Sequence, residues 1–145
     1  MTIVQATLDH IKDLTPLFDG YRVFYKASSD LKRAHDFLKE RITNDESIIL
    51  IAYLEDQAVG FTQLYPIFSS VSTQRMLLLN DLYVANNYRG RGIGKALIDG
   101  AKNICQKNNL KGLSLETAKD NPAQHLYERE GFTQDGYLHY FWANS

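Results

Sequence analysis

The sequence predicts an α/β fold: one domain over residues 1–145, with a mixed, mostly antiparallel sheet of about seven strands flanked by four helices. Three observations carry this. Apolar runs of strand length alternate with apolar positions at helical spacing along the whole chain. The stretch from Leu77 to Leu97, LLLNDLYVANNYRGRGIGKAL, reads as strand, turn and helix in direct succession. With 145 residues, 44% of them hydrophobic, the chain is long enough to bury roughly two-thirds of the surface its unfolded form exposes.

Residues 2–6 (TIVQA) form the first strand. Ile11, Leu14, Leu17, Phe18, Tyr21 and Phe24 or Tyr25 then recur at helical spacing, with Thr7 as the cap. A second helix opens at Ser29 and carries Leu31, Ala34, Leu38 and Ile42 on one face; the short join KASS keeps the two helices adjacent. Ser47 to Leu54 and Ala58 to Tyr65 are apolar runs joined by Glu55-Asp56-Gln57, a hairpin buried on both faces whose second strand ends at Pro66. Beyond the polar loop Ser69 to Gln74, Met76 to Val84 is the fourth strand. The central helix turns Ile93, Leu97, Ala101 and Ile104 or Cys105 inward, and Leu113 to Thr117 is the fifth strand. A last helix covers Asn121 to Glu130, with Pro122 in its first turn and Gly131 as its stop. Phe132 to Gln134 and Tyr137 to Trp142 close the chain as two strands about Asp135-Gly136.

Composition narrows the function classes. Sixteen basic against 17 acidic residues give a net charge of −1, which supplies no general attraction for nucleic acid or an anionic membrane. Any anion site is therefore local. The single cysteine, Cys105, allows no internal disulfide and no cysteine-based zinc site. Nothing at the N-terminus resembles a signal peptide, so a cytoplasmic protein is expected. His10, His35, His125 and His139 show no ligand spacing, and no metal is expected.

The run Arg89-Gly90-Arg91-Gly92-Ile93-Gly94 is a costly way to begin a helix, since each glycine gives up about 1 kcal/mol against alanine. A helix N-terminus presents unpaired N–H groups and the positive end of the dipole, and glycine removes the Cβ atoms that hold an anion away from them. The stretch thus reads as a phosphate cradle, with charge from Arg89, Arg91 and Lys95. It is not a Walker A loop, which needs glycine where Arg89 stands and Ser or Thr where Ala96 stands. A dinucleotide fingerprint from Gly90 and Gly92 needs its third glycine at Lys95.

On Arg89, Gly92 and Gly94, the stretch resembles motif A of the GNAT superfamily of N-acetyltransferases: Arg or Gln, two residues, Gly, one residue, Gly or Ala. The element order matches that superfamily over the whole chain. The resemblance implies acetyl-coenzyme A as acyl donor, its pyrophosphate on residues 89–95 (Ile93 included) and its pantetheine arm along Leu82, Tyr83 and Val84. Residues 116–132, ETAKDNPAQHLYEREGF, resemble the family's last helix, which places Asn121 on the coenzyme and Tyr127 beside its sulfur. Tyr127 stands six positions after Asn121 where the family usually has seven, so Asp120 is the alternative to Asn121.

The implied chemistry is direct attack of a neutral amine on the thioester in a ternary complex. A primary amine with a pKa of about 10.4 must lose a proton, at about 4–5 kcal/mol near neutral pH. The family often supplies a glutamate on the fourth strand where this chain has Asn80, which leaves Asp81 or Glu116 as base. Asn80 and Asp81 can both face the cleft only if the strand bulges there. An N–H of Leu82 or Val84 would receive the oxyanion, and Tyr127 would protonate the departing thiolate; a purely packing role is its alternative. Cys105 sits at four-residue spacing with Ile93, Leu97 and Ala101 and belongs to packing.

Tyr21, Arg22 and Tyr25 lie in the part of the first helix that borders the acceptor cleft in the family, with Asn80 and Glu116 opposite. They suit an alkyl amine or an amino-acid-like acceptor, or else are core and surface residues. The expected acceptors are polyamine- or thialysine-like small molecules; protein lysines, or an acyl-coenzyme A sensing module without turnover, are the alternatives. The aromatic C-terminal strand YLHYFW, long and apolar for an edge, implies a homodimer.

Overall fold

A computed structural model describes residues 1–144. Five strands form one sheet in chain order: β1 (Thr2–Gln5), β2 (Ile48–Leu54), β3 (Gln57–Ser69), β4 (Gln74–Val84) and β5 (Leu113–Ser114). The first four run antiparallel to their neighbours, and β5 joins β4 in parallel. Four helices cover the sheet: α1 (Ile11–Phe24), α2 (Leu31–Thr43), α3 (Ile93–Lys107) and α4 (Ala123–Arg129).

Strand alternation assigns the two faces, shifted on β3 by a bulge at Val59, which lies between the Ala52–Gly60 and Tyr53–Ala58 pairs. Ile49, Ile51 and Phe61 turn to one side and meet Leu14, Leu17 and Phe18 of α1 with Ala34 and Leu38 of α2. Leu50, Ala52 and Val59 turn to the other and meet Ile93 and Leu97 of α3. Val59 to Leu64 of β3 is buried without interruption, as a strand sandwiched between helices requires. A second part of the α3 layer packs Ile98, Ala101 and Cys105 on Leu64, Leu77 and Leu79, with Leu126 and Tyr127 of α4 at its rim.

Local chemistry fixes the element ends. Thr7 caps a short 3₁₀ turn, Leu8–His10, that leads into α1, and His10 closes the reciprocal half of a capping box. Asp30 rather than Ser29 caps α2, accepting from the Arg33 N–H at 3.0 Å. Ser29 instead donates to the buried carboxylate of Asp19 at 2.7 Å, and the Asp30 N–H donates to it at 2.8 Å. These bonds tie the start of α2 to α1 and hold the Asp19 carboxyl below the usual carboxylate range.

Three expectations are corrected. β3 does not stop at Pro66 but continues to Ser69, because β2 accompanies it only as far as Leu64 and no ladder partner on that side needs the missing N–H. The fifth strand pairs through two residues, Leu113 and Ser114, because the chain parts from β4 beyond them. The closing pair of strands, Phe132 to Gln134 and Tyr137 to Trp142, is not formed, so the sheet has five strands rather than about seven among the described residues. Past Phe132 the chain enters no ladder; the Tyr137 N–H bonds the side chain of Asp135, and the aromatic residues beyond it are exposed.

Candidate active site

The site begins with a bulge. β4 opposes Gln63 with Asp81 and Leu64 with Leu79, so Asn80 is an extra residue in the ladder. The bulge brings neighbouring side chains to one place: Asn80 Nδ2 donates to Asp81 Oδ1 at 2.7 Å. Gln63 Nε2 donates to Asp81 Oδ2 at 2.6 Å, and Gln63 Oε1 accepts from Ser47 Oγ at 2.9 Å. Asp81 is 2% exposed. Burial pushes its carboxyl above the usual carboxylate range, and the bonds from Gln63 and Asn80 pull back against that shift.

β4 and β5 share only the Leu77–Leu113 and Leu78–Ser114 pairs before they part. Between them lies a cavity of about 390 Å³, walled by Tyr21 of α1 and its C-cap Tyr25, Leu78 to Asn80 of β4, and Glu116 to Ala118. The Ala85 N–H bonds the Val59 carbonyl at 2.8 Å; by strand alternation the Leu82 and Val84 N–H groups point the opposite way, to the side that β5 has left. The Thr117 hydroxyl is buried with no partner.

Tyr21 and Tyr25 close the other wall, and Tyr127 lies outside the cavity lining. The Tyr21 hydroxyl donates to the Asn80 carbonyl at 3.3 Å and also faces the Asp81 carboxylate; burial first, then that charge, lifts its ionisation far above the ordinary tyrosine value. Tyr127 of α4 packs edge-on to Phe132 at 6.0 Å, and burial, aided by Tyr25, pushes its hydroxyl up to about 12. It keeps its proton across the neutral range. Asn121 Nδ2 donates to the Tyr25 hydroxyl at 3.3 Å while its Oδ1 accepts from the Ala123 N–H at 2.9 Å, so this residue links the start of α4 to the C-cap of α1.

The glycine-rich turn leads from β4 into α3. Gly90 and Gly92 have φ of +78° and +79°, a conformation L side chains rarely adopt, and a Cβ on either would point into open space. Gly92 is the N-cap of α3; the Ala96 N–H bonds its carbonyl at 3.1 Å, leaving the N–H groups of Ile93, Gly94 and Lys95 without helical partners. The cationic side chains are partly committed elsewhere. Arg89 Nε donates to the Val84 carbonyl at 2.9 Å, and its guanidinium lies over the Tyr83 and Phe24 rings; Arg91 lies over Tyr88. Lys95 pairs with Asp99 at 2.7 Å and Glu130 at 3.4 Å. Gly94 has a packing reason of its own: a Cβ there would come within 3.1 Å of Leu126.

The structure thus gathers Tyr21, Tyr25, Asn80 and Glu116 around one cavity, with Asp81 buried behind it. Arg22 is not on that wall; its Nη1 is buried without a partner. Sequence reasoning missed Gln63 and Thr117. The signal for Gln63 was a long amide in the middle of the apolar run AVGFTQLY, where a buried polar residue must find a partner. Among the described residues, no group of three or more His, Cys, Asp or Glu could hold a metal ion, and no helix is long and apolar enough to cross a membrane.

The chain matches the family model described as "Acetyltransferase (GNAT) family" over residues 12–132. It is 46% identical over 142 residues to an uncharacterized N-acetyltransferase, YhfO, of Bacillus subtilis (strain 168), covering 97% of this chain and 95% of that protein. A streptothricin acetyltransferase of Escherichia coli is 26% identical over 136 residues, covering 92% of this chain and 71% of that one. A crystal structure of a probable acetyltransferase superposes with a TM-score of 0.95 at 39% identity, covering 100% of this chain and 99% of its own. With a bulged fourth strand parting from the fifth beside a glycine-bared helix start, and with these relatives, the chain belongs to the acetyltransferase (GNAT) family and is an N-acetyltransferase.

Proposed function

We propose that this N-acetyltransferase uses acetyl-coenzyme A to acetylate a primary amine of a small, polyamine-like or amino-acid-like molecule, by direct attack in a ternary complex in the cytoplasm, as a homodimer. The observation that carries the reading is the parting of β4 from β5, which frees strand donors beside a cavity lined by Tyr21, Tyr25 and Glu116, with Asp81 buried behind it. The turn fits the donor's pyrophosphate: open space above Gly90 and Gly92, free N–H groups on residues 93–95, and Arg89, Arg91 and Lys95 nearby. The coenzyme, when bound, supplies an acetyl thioester.

This chain's residues then divide the work. The Leu82 or Val84 N–H, fixed in the strand, donates to the oxygen on which negative charge develops. Asp81 draws the ammonium toward the cavity and accepts its proton, with the Tyr21 hydroxyl or a water between them. Glu116 supplies a second, exposed carboxylate at the mouth. Tyr127 remains protonated and donates to the leaving sulfur. A cavity of about 390 Å³ suits a small amine, and one relative is named for streptothricin rather than for a protein.

Thiol release from acetyl-coenzyme A with a panel of amines, amino acids and lysine peptides tests the acceptor class. Turnover is expected with small primary amines. Turnover confined to peptides would move the assignment to protein lysines, and coenzyme binding without turnover to a sensing module.

Substitutions test the individual roles. Gly92→Val places a β-branched residue at a φ of +79° and crowds the anion site. The expected result is a folded domain about 1–2 kcal/mol less stable that no longer binds coenzyme A in calorimetry; unchanged affinity would remove the turn from the binding site. Tyr127→Phe keeps the ring and removes only the donor, so kcat should fall by about ten- to a thousand-fold with coenzyme affinity preserved. A variant as fast as the parent, with chemistry rate-limiting, makes Tyr127 a packing residue.

Asp81 gives a pH dependence whose sign follows from its role. A base must be ionised, and burial raises its pKa above the usual carboxylate range, so kcat/KM should fall as pH drops through that raised value. Asp81→Asn should lower kcat by about 10²- to 10⁴-fold and abolish that acid limb. If the limb survives unchanged, the proton goes elsewhere, with Glu116 the next candidate.

A further inference from the structure

We propose that Gln63, latched by Ser47, is a positioning residue of the acceptor site: it holds the Asp81 carboxylate and, through it, turns the Asn80 side-chain oxygen toward the incoming amine. The inference rests on the acceptor cavity and on Asp81 as base in the reading above. It begins with a polar line through the core. Ser47 stands just before β2, Gln63 in the middle of β3, and Asp81 opposite Gln63 on β4. Gln63 is fully buried and Asp81 nearly so.

Stability alone does not call for this line. A buried carboxylate and a buried amide each lose their water, and a bond between them restores only part of that loss. Apolar residues of similar volume at the same facing positions would fill the core without it. What the line supplies is polarity. An ionised carboxylate only accepts hydrogen bonds, so both amides beside Asp81 turn their NH2 groups to it, Gln63 Nε2 at 2.6 Å and Asn80 Nδ2 at 2.7 Å. On the far side of its amide, Gln63 Oε1 accepts from Ser47 Oγ at 2.9 Å, which fixes the amide against a flip. From the next position on β3, Thr62 Oγ1 donates to the Asp81 carbonyl at 2.8 Å and anchors the same stretch of β4.

Asn80 is where the line meets the cavity. It is the bulged residue of β4, it lines the cavity, and its backbone carbonyl accepts from the Tyr21 hydroxyl at 3.3 Å. With Nδ2 committed to Asp81, Oδ1 is the free lobe of its amide; among the described residues no donor bonds it. An amide so turned offers the cavity an acceptor. It takes an N–H of a primary amine and leaves the nitrogen lone pair for the thioester carbon. Without Gln63, Asp81 keeps one amide donor in place of two, and the Asn80 amide is free to present either lobe.

The groups around Asp81 give the sign of a pH effect. Besides the two amides, Tyr21 faces it from α1 and Tyr65 of β3 feels its charge, while Arg41 acts on Tyr65 from α2. Each hydrogen bond to the carboxylate favours its ionised form. Loss of the Gln63 bond therefore makes Asp81 harder to ionise and moves the acid limb of kcat/KM to higher pH.

Three variants of the full chain test this. In Gln63→Leu the acid limb should move up by about one pH unit, and KM for the amine should rise about three- to tenfold with coenzyme A affinity unchanged. Ser47→Ala, at a position that is only partly buried, should shift both in the same direction by less. Ser47→Thr keeps the hydroxyl and should restore the parent's profile. Carbon NMR titration of the Asp81 carboxyl in the same proteins reads the coupling without turnover, and its midpoint should rise in Gln63→Leu and Ser47→Ala. An unmoved titration, or an amine KM equal to the parent's, in a folded variant overturns the proposal; Ser47→Ala decides it if Gln63→Leu does not fold. If titration and amine KM both move while the limb of kcat/KM stays in place, Gln63 retains its positioning role and Asp81 is not the base, so the two failures are told apart.

Discussion

β4 has two neighbours and keeps both for only two residues. Along Leu77 and Leu78 its backbone is paired on each side, and beyond them, apart from the bulged Asn80, it pairs with β3 alone. Backbone N–H and C=O groups are obligatory hydrogen-bonding groups, so a buried strand that gives up one ladder must find other partners for them. Here the freed groups face a cavity, and the bulge at Asn80 resets which of them do so. The remaining features follow from this one: the cavity, the direction of the Leu82 and Val84 donors, and the meeting of Asn80 with Asp81.

The electrostatics of the cavity rest on burial without a cation. Asp81 is held by two amide donors, Gln63 and Asn80, and no lysine or arginine bonds to it. Amide bonds stabilise the ionised form less than a salt bridge would, so desolvation prevails and the carboxyl is harder to ionise than usual. Burial, each in its own place, also raises Tyr21 at the cavity and Tyr65 and Tyr127 outside its lining, with Tyr65 pushed up to about 12. A region that keeps its tyrosines protonated and its carboxylate basic is suited to moving protons between an amine and a sulfur.

The turn between β4 and α3 shows how one short sequence serves two demands. Gly90 and Gly92 are needed for a backbone that other residues adopt only with strain, whereas Gly94 makes room for Leu126 of α4. Arg89, the first residue of the motif, bonds back to Val84 and stacks on Tyr83 and Phe24. It thereby fixes the turn against the strand it leaves, and the main-chain N–H groups at the helix start carry the anion-binding geometry.

Residue pattern alone determined the α/β class, the order of the first four strands and four helices, and the glycine-bared helix start. These depend on local periodicity, capping and positive φ, which neighbouring residues encode. It also posed the condition that Asn80 and Asp81 meet only at a bulge, but a bulge is a register shift against Gln63 and Leu64, and register is a property of two strands. Tertiary structure alone decided that Gln63 would be the partner of Asp81, that β3 would run past Pro66 once β2 had ended, and that Arg22 would lie off the cavity wall. It decided the C-terminus as well. Tyr137 to Trp142 has the composition of a strand, yet a strand exists only where another offers its edge, and no pattern within six residues specifies where that edge will be.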